Sequence, residues 1–139
     1  MRKTYSGFLA LAFLLCDMLF SSCIREEAPD AECDIESCVL PVADPMSVFF
    51  HDYDTLQVVS TLEDAITFQV RHNADLTHIP LRLNLTPGAT AYHLVQDAGA
   101  EQEIPVIQEQ EFDFSQGPLR FRVRSEDRNW NKVYQIAVE

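Results

Sequence analysis

The sequence predicts an all-β protein, a sandwich of two antiparallel sheets with about seven to nine strands. Apolar and polar residues alternate with a period of two in several short runs, as in strands that bury one face. Turn signals separate these runs, among them Pro87-Gly88 and Gln116-Gly117-Pro118. No stretch keeps a helical period for long. The 96 residues from position 44 onward are therefore predicted to form one sandwich domain, residues 44–139.

Four runs show the alternation most clearly: 64–71, 80–86, 118–124 and 130–139. Weaker candidate strands are 46–51, 55–60, 90–94 and 103–108. Half-exposed antiparallel strands need one apolar face each, so the apolar members of the clear runs are the predicted core. These are Ile66, Phe68, Val70, Leu81, Leu83, Leu85, Leu119, Phe121, Val123, Tyr134, Ile136 and Val138.

Ahead of the strands, residues 1–22 have the layout of a bacterial signal peptide. Arg2 and Lys3 precede a short apolar run that is too short to stay in a bilayer as a spanning helix. The small residues before Cys23 resemble the lipobox of bacterial lipoproteins, in which the cysteine is acylated. We therefore predict lipidation of Cys23, with the membrane as a partner through that anchor. Asp17 interrupts the apolar run, so cleavage near Ser22 and release of a soluble domain is the alternative.

Residues 23–43 are predicted to form a flexible acidic tether, because acidic residues and prolines are frequent there. Arg25-Glu26-Glu27 resembles the export signal that sends some Gram-negative lipoproteins to the outer face of the outer membrane. The predicted location is thus the outer membrane, exposed at the cell surface, with the periplasmic face as the alternative. In such an oxidising compartment, Cys33 and Cys38 are close enough in sequence to predict a small disulfide loop.

The charge of the chain limits its partners. The formal net charge is −12, so phosphate backbones and anionic lipid surfaces would repel the chain, and nucleic-acid binding is not expected. The four histidines are scattered, and two further ligands for Cys33 and Cys38 are missing, so we predict no metal site. No motif for a cofactor is present either.

A series of short motifs resembles a known kind of module. The motifs are Asp75-Leu76-Thr77-His78-Ile79, Leu85-Thr86-Pro87-Gly88-Ala89-Thr90, Asp113-Phe114-Ser115, Val123-Arg124-Ser125-Glu126-Asp127 and Tyr134-Gln135-Ile136-Ala137-Val138. In this order they resemble the immunoglobulin-like modules in surface lipoproteins of glycan-foraging bacteria. The nearer resemblance is to the N-terminal module of lipoproteins that carry a putative carbohydrate metabolism domain (PCMD). The resemblance implies an immunoglobulin-like sandwich in a glycan-utilisation system, and it places none of these residues in a catalytic role.

The chain departs from that pattern in two ways. Glycine usually follows the Ser-Glu-Asp run, but Arg128 stands here, so the turn is expected to rely on Asn129. The larger carbohydrate-associated domain expected downstream is not part of this sequence, which stops at Glu139. Activity that resides in such a domain is therefore not expected of this chain.

Searches for catalytic motifs find no G-x-S-x-G elbow, no H-E-x-x-H pair, no phosphate-binding glycine loop and no C-x-x-C site. We predict that the chain is not an enzyme. His51, Asp52 and Asp54 gather nitrogen and oxygen groups that suit calcium or a sugar, with an acidic turn between strands as the alternative. Trp130 and Tyr134 are candidates for an aromatic sugar platform, with core or edge packing as the alternative.

The alternate arginines Arg120, Arg122 and Arg124 suit an acidic ligand, or else pair with carboxylates near Glu109 and Glu111. All these features predict a non-catalytic, lipid-anchored envelope protein that acts as a spacer or presentation module in a glycan-related surface system. One alternative is an autonomous carbohydrate-binding or adhesin module. The other is a truncated fragment of a longer carbohydrate-associated lipoprotein.

Overall fold

A computed structural model describes residues 32–58 and 64–139. Within these residues nine strands form two sheets, which confirms the predicted β-sandwich. A one-turn helix, α1 (Pro45–Val48), and a 3-10 helix (Asp52–Thr55) lie between the first two strands. The strands are β1 (Ile35–Val39), β2 (Leu56–Val58), β3 (Ala65–Phe68), β4 (Ile79–Leu85), β5 (Thr90–Asp97), β6 (Ala100–Pro105), β7 (Gln110–Phe112), β8 (Leu119–Arg124) and β9 (Asn131–Val138).

The two sheets have the strand orders β2-β1-β4-β7 and β3-β9-β8-β5-β6. With β1, β4 and β7 as strands A, B and E, and β5, β8 and β9 as strands C, F and G, this is an immunoglobulin-like arrangement. The strand pairs are antiparallel except β3 and β9, which run parallel. The expectation of a purely antiparallel sandwich is therefore wrong at this edge. The chain changes sheets between β2 and β3, so β3 joins the free side of β9 without a hairpin connection.

The core lies between the sheets and uses the residues that the alternation predicts. Phe121, Val123, Tyr134 and Ile136 have no exposed surface, and Leu81 is equally buried. Each large apolar side chain buried in this way contributes about 1.5–3 kcal/mol. Three predicted core residues are only partly buried: Val70, Leu85 and Leu119.

The predicted boundary of the tether is wrong, because the domain already includes β1. This strand lies between β2 and β4, and its neighbourhood buries Cys33, Ile35, Cys38 and Leu40. A register shift between Ile35 and Ser37 moves the inward positions from odd to even residues, which hides the period-two pattern. The sandwich therefore begins near residue 33 and not at 44. Residues 23–31 of the proposed tether, like the signal peptide 1–22, lie outside the described residues.

Other departures are local. The predicted strand 46–51 is replaced by α1, whose first turn contains Pro45, where the fixed φ of proline suits a helix start. The candidate at 103–108 begins earlier, as β6 (Ala100–Pro105). The three-residue strand β7 was not predicted, because three residues are too few to show a period.

The two ends of the sandwich carry different parts of the chain. The basal end is defined here by Asp34, the β4–β5 turn and the β8–β9 turn, since Ile35 pairs with Leu85 and Arg124 pairs with both Thr90 and Asn131. The distal end contains the β5–β6 turn, the loop between β1 and β2, and Glu139. The described chain thus enters at the basal end, and its last residue lies at the opposite end.

Candidate functional site

At the basal end, a small polar cluster binds the incoming chain. The carboxylate of Asp34 accepts hydrogen bonds from the Lys132 ammonium and, at 3.1 Å, from the Tyr134 hydroxyl. The Tyr134 oxygen in turn accepts the backbone N–H of Ile35 at 3.4 Å. Hydrogen bonding to Asp34 raises the pKa of Lys132, and burial raises the pKa of Tyr134. Tyr134 has no exposed surface, so it belongs to the core and is not a face of a sugar platform with Trp130.

Thr86 fixes the same segment from the β4–β5 turn. Its hydroxyl donates to the Glu32 carbonyl at 3.1 Å and accepts the backbone N–H of Asp34 at 3.3 Å. Its backbone N–H donates to the Asp34 carbonyl at 3.0 Å. Thr86 is 4% exposed, and a buried hydroxyl is costly unless it is hydrogen-bonded in this way. The Thr86-Pro87-Gly88 motif therefore holds the first residues of the domain as well as closing a turn.

The two cysteines of the predicted disulfide are free and buried. The prediction is wrong in this structure for a geometric reason. β1 is extended from Ile35 onward, so three steps of about 3.3 Å already separate Ile35 from Cys38, whereas bonded cysteines have Cα atoms about 4.4–6.8 Å apart. Burial raises the pKa of Cys38 to about 12 and also raises that of Cys33. Both thiols are therefore core residues that stay largely protonated at neutral pH.

The predicted ligand residues His51, Asp52 and Asp54 lie together in a turn at the distal end. The Asp54 carboxylate accepts the backbone N–H of His51 at 3.0 Å and so caps the 3-10 helix. The His51 and Tyr53 rings stack at 5.0 Å between centroids, with 12° between their planes. No group of three or more His, Cys, Asp or Glu side chains suited to a metal ion occurs in residues 32–58 and 64–139. The turn is therefore an ordered, capped structure that presents an aromatic ring.

Beside this turn lies a cleft of about 340 Å³, which we call the β2–β3 cleft. Seven residues line it: Phe50, Tyr53, Asp54, Leu56, Gln57, Thr67 and Gln69. Tyr53 is 68% exposed, and Phe50 and Leu56 are each 53% exposed. The Arg71 guanidinium packs over the Phe50 ring at 5.6 Å, and its Nε donates to the Phe49 carbonyl at 2.8 Å. Aromatic, amide, hydroxyl and carboxylate groups thus meet in one concave surface.

Sequence reasoning found part of this cleft. It identified Asp54, which lines the cleft, and His51, which stacks on the lining residue Tyr53. It did not identify the remaining lining residues, which are Phe50, Tyr53, Leu56, Gln57, Thr67 and Gln69. Phe50 and Tyr53 fell in or beside a run that was assigned to a strand. Gln57, Thr67 and Gln69 resemble any polar residue on an outward face, so the sequence carries no signal that distinguishes them.

Trp130, the other predicted ligand residue, stands apart from this cleft in the β8–β9 turn. It is 61% exposed, and its backbone carbonyl accepts the N–H of Ser125 at 3.0 Å. The turn does not rely on Asn129 for its left-handed residue, as the sequence suggested. Arg128 takes that conformation, with φ of 60°. Asn129 instead donates its backbone N–H to the Asp127 carboxylate at 2.9 Å.

The arginine row of β8 is paired within the domain. Arg120 and Arg122 both contact Glu101, and Arg122 and Arg124 both contact Glu103. These partners lie on β6, across β5, and not near Glu109 and Glu111 as predicted; Glu109 pairs with Arg82. Hydrogen bonding from Arg122 lowers the pKa of Glu103 and keeps it ionised. Each arginine of the row therefore has a carboxylate partner within the domain.

A second cleft, of about 460 Å³, lies at the distal end between the residues that follow β1 and the start of β4. Its polar lining includes Asp75, His78 and Glu111. The Thr77 hydroxyl donates to the Asp75 carboxylate at 2.6 Å and lowers the pKa of that group. A carboxyl with a lowered pKa is ionised at neutral pH and is poorly suited to act as a general acid.

The helical segments in residues 32–58 and 64–139 are too short to cross a membrane. Cys23, the predicted site of lipidation, lies outside these ranges.

Comparison with known proteins finds similarity among solved structures. No family model matches the chain, and no curated protein matches it. Among solved structures, the chain is similar to the crystal structure of a putative glycoside hydrolase from Bacteroides thetaiotaomicron, with 30% sequence identity and a TM-score of 0.50. The alignment covers 82% of this chain and 26% of that protein, so this chain spans about a quarter of the length of its neighbour.

Proposed function

We propose that the chain is a non-catalytic, lipid-anchored protein of the cell envelope that acts as a spacer or presentation module in a glycan-related surface system. The observation that carries this proposal is the direction in which the chain crosses the domain. The described chain enters at the basal end beside Asp34, and its last strand, β9, runs from the basal to the distal end. A sandwich with this arrangement holds whatever it presents at a fixed distance from its attachment point.

The dimensions suit that role. β9 has eight residues and runs from the basal to the distal end, which corresponds to about 27 Å at about 3.4 Å per residue. Cys23 precedes Cys33 by ten residues, and that segment can reach at most about 35 Å. A lipid on Cys23 would therefore place the basal end within that distance of the bilayer, with the distal end facing away.

The assignment to a glycan-related system is supported by the neighbour, a putative glycoside hydrolase from a Bacteroides species. The similarity involves about a quarter of that protein, which is the size of one module and not of a whole enzyme. The absence of catalysis is part of our proposal. The motifs of the common hydrolase sites are missing from the sequence, and one oxygen of the Asp75 carboxylate in the second cleft accepts two hydrogen bonds from Thr77.

The anchor is tested by the intact mass of the membrane-extracted protein beside Cys23→Ala. We expect a lipid-modified chain that starts at Cys23, and loss of the lipid in the variant. An unlipidated chain that starts elsewhere would refute the anchor.

Orientation is tested on whole cells with two single-cysteine probes, Gln116→Cys at the distal end and Asn129→Cys at the basal end. Both residues are exposed, and the native thiols of Cys33 and Cys38 give no background because they are buried. A bulky, membrane-impermeant maleimide should label Gln116→Cys more than Asn129→Cys, while a small maleimide should label both equally on lysed cells. Equal labelling by the bulky reagent would contradict the spacer orientation, and no labelling of intact cells would place the protein on the periplasmic face.

A further inference from the structure

We propose that the β2–β3 cleft binds a neutral glycan and that Tyr53 is its stacking platform. This inference rests on the proposed place of the chain in a glycan-related surface system, and it names the ligand class and the site. It moves the binding site from Trp130, which the sequence suggested, to the opposite end of the sandwich.

The aromatic content of the cleft is the first argument. Phe50, Tyr53 and Leu56 all line it, and each exposes more than half of its surface. Exposed apolar surface that is gathered in one concavity and bordered by polar groups is typical of a binding site. The apolar face of a pyranose ring suits an aromatic face because its C–H groups meet the electron-rich surface of the ring.

The Tyr53 ring is already held in place without a ligand. His51 stacks on it nearly parallel, and the Asp54 cap fixes the turn that carries both residues. Arg71 packs over the neighbouring Phe50 ring. A platform that is ordered in advance loses little side-chain entropy on binding, which favours affinity for a weakly hydrophobic ligand such as a sugar.

The polar lining has the chemistry that sugar hydroxyls require. Gln57 and Gln69 each offer an amide that both donates and accepts, Thr67 offers a hydroxyl, and Asp54 offers carboxylate oxygens. These groups come from β2 and its preceding turn on one side and from β3 and the residue that follows it on the other. A ring bound over Tyr53 would therefore meet donors and acceptors from both edges of the sandwich.

Charge selects among glycans. Asp54 is the charged residue among those that line the cleft, and the whole chain has a net charge of −12. The Arg71 guanidinium beside the cleft is engaged by the Phe50 ring and the Phe49 carbonyl, so sulfated glycans and those rich in uronic acids would meet mainly the repulsion of Asp54 and of the acidic chain as a whole. The volume of about 340 Å³ is at the small end of the range for ligand sites, so a short stretch of a neutral glycan fits best.

The test is affinity electrophoresis of the detergent-extracted full chain through gels that contain one polysaccharide each. The neutral probes are a mixed-linkage glucan, xyloglucan, mannan and galactan, and the acidic probes are polygalacturonate and chondroitin sulfate. We expect retardation by at least one neutral polysaccharide and none by the acidic ones. Tyr53→Ala should weaken that retardation about tenfold, whereas Tyr53→Phe should keep most of it because the stacking face remains.

Trp130→Ala is the matched control, since Trp130 is nearly as exposed as Tyr53 but lies at the basal end. It should leave retardation unchanged. Each variant should unfold at the same urea concentration as the parent, because both side chains are exposed. Failure of every neutral polysaccharide to retard the chain, retardation unchanged in Tyr53→Ala, or retardation lost in Trp130→Ala would overturn the proposal.

The outcome is separable from the test of the proposed function. A chain that is lipidated at Cys23 but is not retarded by any probe keeps its role as an anchored spacer and loses the glycan site. A chain that binds glycan through Tyr53 but carries no lipid keeps the site and loses the anchor.

Discussion

The basal end and the β2–β3 cleft are built from similar residues and use them in opposite ways. Both contain a tyrosine, an aspartate and a short turn. At the basal end, Tyr134 is fully buried and its hydroxyl is engaged by Asp34 and Ile35. At the cleft, Tyr53 is 68% exposed, and the nearby Asp54 carboxylate caps its own turn. The same side-chain types thus close one end of the domain and leave the other able to meet a partner.

The difference shows what each end contributes. Hydrogen bonds satisfied within the domain hold the incoming chain and leave little for a ligand. Exposed apolar rings contribute little to the free energy of folding, so their presence in a concavity is better explained by binding. The predictions below test this contrast between a closed end and an available cleft.

The largest effect is expected from two adjacent phenylalanines, one in the core and one in the cleft. Phe49 is fully buried, and its ring meets Phe68 edge-on at 6.4 Å, whereas Phe50 is 53% exposed in the cleft. Phe49→Ala should lower the free energy of unfolding by about 3–5 kcal/mol, through lost burial and a cavity. Phe50→Ala should lower it by less than about 1 kcal/mol, chiefly through the Arg71 contact. Urea unfolding measures both, and equal losses would mean that the cleft is part of the core.

The next effect is at the β4–β5 turn of the basal end. Gly88 has φ of +79°, and a Cβ atom there would lie 2.7 Å from the Glu126 carboxyl carbon. Gly88→Ala should therefore lower the free energy of unfolding by about 1–3 kcal/mol, because of backbone strain and the clash with the neighbouring turn. Urea unfolding measures this loss.

Gly99→Ala is the control for that substitution, because Gly99 has φ of +85° and nothing within 4 Å of an added Cβ. Gly99→Ala should lower the free energy of unfolding by the cost of backbone strain alone, about 1–2 kcal/mol. Adding Glu126→Ala to Gly88→Ala should restore only part of the remainder, because the Glu126 Cβ atom, 2.8 Å from the added Cβ, stays in place. If the two glycine variants lose equal stability, the basal turns are not packed against each other.

The contrast between these two regions also explains which strands and contacts could be predicted from the sequence. Strands β4, β8 and β9 each have one face in the core and one in water, so period-two alternation predicted them with their buried residues. β1 was assigned to a tether because the register shift beside Ile35 breaks the alternation and because acidic residues are frequent in the segment that contains it. The predicted carboxylate partners of the β8 arginines were wrong, because the true partners lie on the strand two places away in the sheet. That neighbour is fixed by the topology and not by local pattern.

The cleft was predictable only in part, for a similar reason. Its turn was predicted as a ligand site because His51, Asp52 and Asp54 bring nitrogen and oxygen groups together within four residues. Its second wall comes from Thr67 and Gln69, which the fold brings to the turn from a different sheet. Trp130 was a candidate from sequence because an aromatic face suits a sugar ring, although exposure alone does not place polar groups around that ring.

A smaller, stabilising effect is expected in the β8–β9 turn. Arg128 has φ of 60°, a conformation that costs a residue with a side chain about 1–2 kcal/mol. Arg128→Gly should raise the free energy of unfolding by about 0.5–1 kcal/mol, after allowance for the greater freedom of glycine in the unfolded chain. Asn129→Gly is the control, because Asn129 has no positive φ to relieve and loses its bond to Asp127. Stabilisation by Asn129→Gly would mean that Arg128 is not the strained residue of this turn.

The smallest effect concerns pH at the same turn. Hydrogen bonds from the Ser125 hydroxyl and then from the Asn129 backbone lower the pKa of Asp127 below its usual 3.8. A carboxyl with a lower pKa in the folded state binds fewer protons than in the unfolded state. Its contribution to stability is therefore complete above the unfolded pKa and is lost as pH falls through the folded pKa.

Asp127→Asn keeps the size and the acceptor oxygen but removes the charge. The variant should unfold at a lower urea concentration than the parent at pH 7, and the two midpoints should converge as pH falls below 3.8. Urea midpoints at pH 7, 5 and 3 measure this. Since Asp34 and Lys132 are unchanged in both proteins, a difference that persists undiminished at pH 3 would show that the turn depends on the shape of this side chain and not on its charge. The β8–β9 turn would then be closed by packing and neutral hydrogen bonds.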